Sequence, residues 1–527
     1  MSNSKSSVVV VLLTLCLPGC GAQDDPPVDA WVYPLDPLGG ELSQVTLRHL
    51  DHHGEEGLIG RYASVWNCAS DEGGEKVQLT LGGLKLSGRM CRMTRRASAG
   101  PDGSLLHITP PDSDTDGADA FAEVMVYHHI TTIAQRFRTR LGAPEPEQPL
   151  KVIVNMQGYA DMLGRWVGVP NAAYAPPSAQ QELRQLVDID VLQGEEAILF
   201  GYNNMLPQLG QVDFAYDASI IYHEYTHSMV GERLLDPVED ALGLDNTSRA
   251  VNEALADYFA TSTLGTPRVA SYILGDGARD LTQLRRCPDD LVGESHRDGQ
   301  ILSGALWSMR ERLGVDVADR VVWNALQTFD RKSTLSDATQ AILAEAQRQA
   351  PQIPVQDIFE AHGLVGCVRF KEHRDFSADA GALYQPEVPG TLTAPAPFKE
   401  VGAPAPVQQW VTLDRNARAL TIKYAAISGT VLGIGGAAAD VAVAVRPGDR
   451  PIHHDYRGGK ATMDATVVPG ASQPGSSVRQ VVLAGRCLSQ GHLVFQLVNH
   501  GEPAALLSSL RVTQSDEPPP AAVFRCD

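Results

Sequence analysis

The sequence predicts an α+β protein that ends in an antiparallel β-sandwich, and three observations carry that expectation. Apolar residues at helical spacing dominate between residues 115 and 366. Ahead of them, from Leu42 to Ile108, short alternating runs such as Val77-Gln78-Leu79-Thr80-Leu81 mark strands. After Pro386 the texture changes to short apolar and β-branched runs between Gly and Pro turns.

Taken in order, the chain opens with one positive residue, Lys5, before the apolar run Val8 to Leu17, too short to span a bilayer as a permanent helix. Leu17-Pro18-Gly19-Cys20 resembles a bacterial lipobox. The resemblance implies a signal peptide over 1–19 and lipidation of Cys20, with Gly21 leaning towards the outer membrane. Cleavage a few residues later, giving a freely secreted protein, is the alternative. Residues 20–40, rich in Asp, Pro and Gly, read as a tether. One body follows over 41–385, with a β-rich start at 41–114 and a mainly helical core at 115–366. Strand-like segments interrupt that core at Leu150 to Val154 and Ala197 to Phe200. Its helices include Gly304 to Leu313, Val317 to Phe329 and Leu335 to Arg348. A Pro- and Ala-rich linker is expected at 386–406 and the sandwich at 407–527. The sandwich is built from Trp410 to Leu413, Ala419 to Tyr424, Val441 to Val445, Gln480 to Leu483 and His492 to Val498.

A formal net charge of −20 over 527 residues argues against nucleic acid or an anionic membrane surface as partner. Membrane contact is expected only through the N-terminal lipid. Beyond Cys16 and Cys20 there are six cysteines, an even number that suits an oxidising compartment. Nearest-neighbour pairing predicts Cys68–Cys91, Cys287–Cys367 and Cys487–Cys526. No CxxC spacing exists for a thiolate metal site.

The chemistry concentrates in Ile221-Tyr222-His223-Glu224-Tyr225-Thr226-His227. Histidines four apart share a helix face, so both can reach one metal ion, with Glu224 placed to act on a water held there. Apolar neighbours make this a buried helix, in which histidines need partners. Downstream, Ala250-Val251-Asn252-Glu253-Ala254-Leu255-Ala256-Asp257-Tyr258-Phe259 is helical, with Glu253 and Asp257 on one face. Glu253 then supplies a third ligand and leaves a fourth position open, as a catalytic zinc requires. Asp257, one turn on, is expected to hold a ligand histidine by its second nitrogen.

HEYTH followed by NEALADYF resembles the gluzincin zinc metallopeptidases of the thermolysin and fungalysin type. The separation of His227 from Glu253 is closer to fungalysin. Ala120 to His129 is similar to the helix that opens the family core, and Asn171-Ala172-Ala173-Tyr174 resembles its substrate-binding edge strand. Asp217 stands where fungalysin-like sequences carry an aspartate. His296-Arg297-Asp298-Gly299-Gln300-Ile301-Leu302 resembles a fungalysin HxxGExW segment, with Gln for Glu and Leu for Trp. The resemblance covers roughly 115–330 and implies a two-lobed, thermolysin-like metallopeptidase domain.

It implies one catalytic zinc on His223, His227 and Glu253, Glu224 as general base, and His296 as oxyanion stabiliser. Asp217 and Asp257 would support the ligands, with Asp290 or Asp298 orienting His296. Asn171, Ala172 and Arg279 would hold a protein or peptide substrate. A surface binding module on a peptidase scaffold, with little or no catalysis, is the alternative. Fewer than 120 residues precede the core helix, too few for the family's large propeptide, and the His296 segment lacks two family residues.

Asp112, Asp114, Asp116, Gly117 and Glu123 fall at positions 1, 3, 5, 6 and 12 of a calcium-loop template. Asp119 stands where that template wants an apolar residue, and no paired loop exists. A calcium loop and a solvated acidic linker both stay open, with the linker favoured. Cleavage specificity and oligomeric state do not follow from the sequence.

Overall fold

Alternation of the kind that predicts half-buried strands begins earlier than the composition suggests. In the computed structural model, Val28–Val32 pairs antiparallel with Ser43–Leu47, with Val28, Ala30 and Val32 buried. Residues 28 to 36 therefore belong to the folded body and not to a tether: Tyr33 stacks edge-on against Phe121 at 5.6 Å, and Leu35 O accepts from Ala218 N. The Val-x-Ala-x-Val alternation was hidden among Asp and Pro. Described are residues 28–526, apart from 55, 70–75, 82–83, 114–115, 162, 178–194, 207–208, 235–246, 378–386, 389–400, 429–437, 458–459, 473–475, 502–503 and 518–523. The lipobox and Cys20 lie outside them.

The architecture is α+β. A nine-stranded mixed sheet is built around Leu150–Ala160, which runs parallel to both Ala63–Ala69 and Ala197–Asn203. Ala172–Ala175 pairs with the outer side of Ala197–Asn203 in antiparallel sense. Eight helices occur among the described residues: α1 (Phe121–Leu141), α2 (Ala218–Val230), α3 (Thr247–Leu264), α4 (Ser271–Leu274), α5 (Ser295–Leu313), α6 (Val315–Leu326), α7 (Leu335–Gln349) and α8 (Gln356–Ala361). One apolar cluster joins α1, α2, α3 and α5 to the sheet, with Phe137, Phe259 and Tyr258 fully buried in it. Burying such side chains stabilises by roughly 1.5–3 kcal/mol each, so α2, α3 and α5 are held by packing rather than by intrinsic propensity.

Two larger sheets, with the small hairpin His454–Arg457/Lys460–Met463, form the C-terminal part. One of the larger sheets runs Phe370–Glu372, Gln408–Thr412, His492–Asn499, Val441–Pro447 and Thr466–Pro469; the other centres on Ala419–Ser428 between Ala505–Ser515 and Val478–Gly485. Val443 and Phe495 of the first meet Ile422 and Leu483 of the second in one buried cluster. Two pairings are parallel, Phe370–Glu372 with Gln408–Thr412 and Val478–Gly485 with Phe524–Cys526. These sheets recruit strands from Phe370 onward, well ahead of the expected boundary at 407, because Arg369 O accepts from Gln408 N and starts the ladder.

Cys68–Cys91 and Cys287–Cys367 are formed. Cys487 is disulfide-bonded, and Cys526 sits on the adjoining strand with its side chain outside the described residues. No helix among the described residues is long and apolar enough to cross a membrane.

Candidate metal centre

Helix α2 starts where Asp217 accepts from Ser219 N at 2.9 Å and Ile220 N at 3.4 Å, which satisfies amides that no helical turn can reach. Asp217 is thus the cap of the histidine helix and touches neither histidine; its part in the site is to set the helix start. One turn in, the four-residue spacing brings His223 Nε2 and His227 Nε2 within 3.1 Å. Glu253 on α3 closes the triangle, with Oε2 at 3.1 Å from His223 Nε2 and 3.6 Å from His227 Nε2. A tetrahedral ion with bonds of ~2.0–2.2 Å would set its ligand atoms about 3.3–3.6 Å apart.

The outer nitrogens are committed. His223 Nδ1 donates to Asp257 Oδ1 at 2.8 Å, as its spacing on α3 predicts, and His227 Nδ1 donates to Asn252 Oδ1 at 2.9 Å. Those bonds leave the Nε2 lone pairs facing each other and Glu253. Glu253 Oε2 is buried, and its nearest polar neighbours are the Nε2 atoms of His223, His296 and His227. Three converging acceptors in a buried site repel one another unless a cation or protons lie between them, and this donor set suits a metal ion. The chain's own charges act the same way. Burial disfavours an imidazolium at His227, but the neighbouring Glu253 and Glu224 outweigh it and raise the group to about 9. Burial likewise opposes ionisation of Glu253, yet His296 and His227 hold it well below the usual carboxylate range.

Asp257 carries a second load. Arg279 Nε and Nη2 both bond its carboxylate, the shortest contact being 2.7 Å, and Arg279 is only 4 % exposed. The sequence assigned Arg279 to substrate. Its guanidinium also edges the cleft, but its main partner is the carboxylate that positions His223.

His296 lies in the first turn of α5, with Nε2 at 3.2 Å from Glu253 Oε2 and its ring stacked 6.1 Å from that of His223. Helices α3 and α5 approach this closely because residue 299 is glycine. A Cβ there would sit 2.8 Å from Ala250 O and 3.2 Å from Glu253 Cβ. Neither Asp290 nor Asp298 orients His296. Asp290 accepts from Arg286 N, and Asp298 accepts from Val292 N and Gly293 N. The orienting acid is Glu294, whose Oε1 accepts from His296 Nδ1 at 2.7 Å while its carboxylate caps α5 at His296 N and Arg297 N. Glu294 and Asn252 were both missed. Glutamate is an uncommon helix cap, so spacing gave no signal for the first, whereas Asn252 precedes a ligand on the same helix and could have been weighed.

A cleft opens beside the cluster. Glu224 and His296 line it together with Asn171, Ala172 and the apolar side chains of Leu209, Phe214, Ile220, Ile273 and Leu274. Ala172–Ala175 has a ladder on one side only among the described residues, so an extended chain can pair with its other side. Asn171 itself is tied to the neighbouring strand through Gly201 N.

Among the described residues, the acidic stretch before α1 does not assemble into a metal-binding group. Glu123, the twelfth position of the calcium template, turns inward. Its carboxylate accepts from Asn67 Nδ2 at 2.9 Å, Arg96 N at 3.1 Å and Ala97 N at 3.2 Å. Asp119 caps α1 at Phe121 N and Ala122 N and accepts from Tyr216 OH. Asp116 accepts from Ala118 N. Asp114 lies outside the described residues, and among those described Asp112 joins no metal-binding group. The calcium reading therefore loses its bidentate ligand to buried backbone amides.

No protein-family model matches the chain, and no curated protein matches it. Among solved structures, the chain is similar to "A novel family GH115 4-O-Methyl-alpha-glucuronidase, BtGH115A, with specificity for decorated arabinogalactans", at 9 % identity over 56 % of this chain and 39 % of that one, with a TM-score of 0.12. That overlap spans well under half of the other chain's length, and so loose a superposition carries no argument about fold or chemistry.

Proposed function

We propose that the protein is an exported zinc-dependent endopeptidase of the gluzincin kind, with the sheet around Leu150–Ala160 and helices α3 to α8 as its two lobes. The observation that carries this reading is the convergence of His223, His227 and Glu253 beside Glu224, at the wall of a cleft near a strand that is paired on one side only among the described residues. Zinc held by the three ligands would polarise a peptide carbonyl and lower the pKa of a water. Glu224 takes the proton of the attacking water and passes it to the departing amine. His296, aimed by Glu294, donates from Nε2 to the oxygen on which charge develops. The edge of Ala172–Ala175 that is unpaired among the described residues holds the substrate backbone, and the apolar wall of Leu209, Phe214 and Ile273 takes an apolar side chain. Two disulfides suit an oxidising compartment, and a lipid on Cys20 would keep the chain at a membrane surface.

The test is metal analysis of the purified protein together with casein hydrolysis. The expected result is one zinc per chain and cleavage blocked by a chelator. Glu224→Gln should keep the metal and lower kcat by roughly 10²–10⁴-fold. Full metal occupancy without any cleavage, unaltered by Glu224→Gln, would leave a binding module on a peptidase scaffold as the better reading.

A further inference from the structure

His296 is only as well placed as the loop that delivers it, and that loop is held from an unexpected direction. Residues 288 to 294 run between Cys287 and the start of α5. Leu291 N bonds Pro288 O, but the loop's other fastenings reach outside it. The disulfide ties Cys287 to Cys367. At the opposite end Asp298, fully buried, accepts from Val292 N at 2.7 Å and Gly293 N at 3.0 Å, so it fixes the two residues before Glu294. The same carboxylate takes Arg369 Nη1 at 2.8 Å, with both side chains almost wholly buried. Between these ends, Lys371 Nζ donates to Asp289 O at 3.2 Å and to Leu291 O.

Arg369 and Lys371 are not residues of the helical body. Arg369 O accepts from Gln408 N, and Phe370–Glu372 pairs with Gln408–Thr412 as a strand of the C-terminal sheets. Cys367, Arg369 and Lys371 therefore lie on the strand entry of the C-terminal part, and each engages the loop that carries Glu294 towards His296.

We infer that the C-terminal β-part is a positioning element for the active site: through Arg369 on Asp298 and Lys371 on the loop carbonyls, it fixes the 288–294 loop so that Glu294 aims His296 at the metal cluster. Neither cation touches the cluster, so both act only through Asp298 and the loop. An appended binding module would instead leave the geometry at His296 unchanged when its contacts are loosened. The kinetic consequence rests on the peptidase reading; the structural one does not.

The experiment uses the full chain with Arg369→Met, Arg369→Lys and, as a milder loosening that leaves the Arg369–Asp298 pair in place, Lys371→Met. Metal content should stay at the wild-type level in all three. Hydrogen exchange at Val292 and Gly293 should speed up at least about tenfold in Arg369→Met while the amides of α2 and α3 are unchanged. Casein hydrolysis should show kcat down by roughly 10–100-fold, the range expected for an ångström-scale displacement of a catalytic group, with KM within about twofold. Arg369→Lys should recover part of the loss. The loss should vanish in a His296→Ala background, since a residue that acts through His296 has nothing left to position. An equal loss in that background, or unchanged exchange and kcat in both Arg369→Met and Lys371→Met, would overturn the proposal. If the wild type cleaves nothing, the peptidase reading fails by itself, and the exchange measurement still decides this one.

Discussion

His223, His227 and Glu253 turn their remaining donor atoms towards one point, whereas Asp116, Asp119 and Glu123 turn theirs towards backbone amides. Asp116 and Glu123, like the first group, show metal-binding spacing in the sequence, whereas Asp119 breaks the calcium template. The difference lies in the element that carries each. On α2 and α3 the backbone amides are already satisfied within the helix, so side chains at four-residue spacing are free to converge. The 112–123 stretch runs through a loop into a helix start, where unpaired N–H groups compete for every carboxylate. Glu123 shows the outcome: two backbone amides and Asn67 use its oxygens before a cation could.

The largest effect expected from this comparison is on metal. Glu253→Ala should abolish stoichiometric metal binding, read by metal analysis. Chelating the wild type should lower its stability by about 4 kcal/mol where the metal stands at ~1,000 times its Kd, measured as a drop in Tm. If the Tm does not respond to chelation, the cluster holds no ion of consequence. Asp257→Asn comes next. It weakens the bond that fixes His223 and leaves the buried Arg279 without its carboxylate, so metal affinity should fall about 10–100-fold and stability by about 3–5 kcal/mol. Wild-type affinity in that variant would show that Asp257 serves Arg279 alone.

On the acidic side the effect is a pH dependence. Burial pushes Glu123 up to about 7 from the ordinary 4.5, and Asp119 up to about 6. The folded chain therefore binds these protons more tightly than the unfolded chain. Their contribution is fully present below the unfolded values and is lost as pH rises through about 6 to 7, on the order of 3 kcal/mol for Glu123 alone. In Glu123→Gln the fall in Tm between about pH 4.5 and 7, recorded on chelated protein, should be visibly flatter than in the wild type. Parallel curves would mean that Glu123 is not the group titrating. The smallest effect is calcium itself. Millimolar calcium should move the Tm of chelated wild type by no more than Asp112→Asn does, within about 0.5 kcal/mol in each case. A clear rise in Tm with calcium would restore the loop as a site.

Much of the site was legible because helices convert sequence spacing into distance. A spacing of four from His223 to His227, and again from Glu253 to Asp257, was enough to expect the ligand face and the bond to His223. His296 was found from its motif, but its partner was not. Glu294 sits two residues away at a helix start, and which of Asp290, Glu294 and Asp298 turns inward depends on the path of the loop. Arg279 was expected to hold substrate; it lines the cleft, and nothing local in the sequence says that its guanidinium binds Asp257 of α3. The strand at Val28–Val32 was lost to composition, because Asp and Pro around it outweighed a five-residue alternation.

By itself, then, the sequence determined the α+β class, the pairings Cys68–Cys91 and Cys287–Cys367, and three side chains able to share one ion. These depend on period, spacing and residue chemistry, all of which act over a turn of helix or a few residues of strand. Only the tertiary structure decided that Glu294 aims His296, that Asp257 is shared with Arg279, that Glu123 faces amides, and that Arg369 of the C-terminal strands grips Asp298 of α5. Each of those is a buried charge or hydrogen bond whose partner is chosen by packing, where the cost of leaving a polar group unsatisfied selects one neighbour among several that the sequence leaves equal.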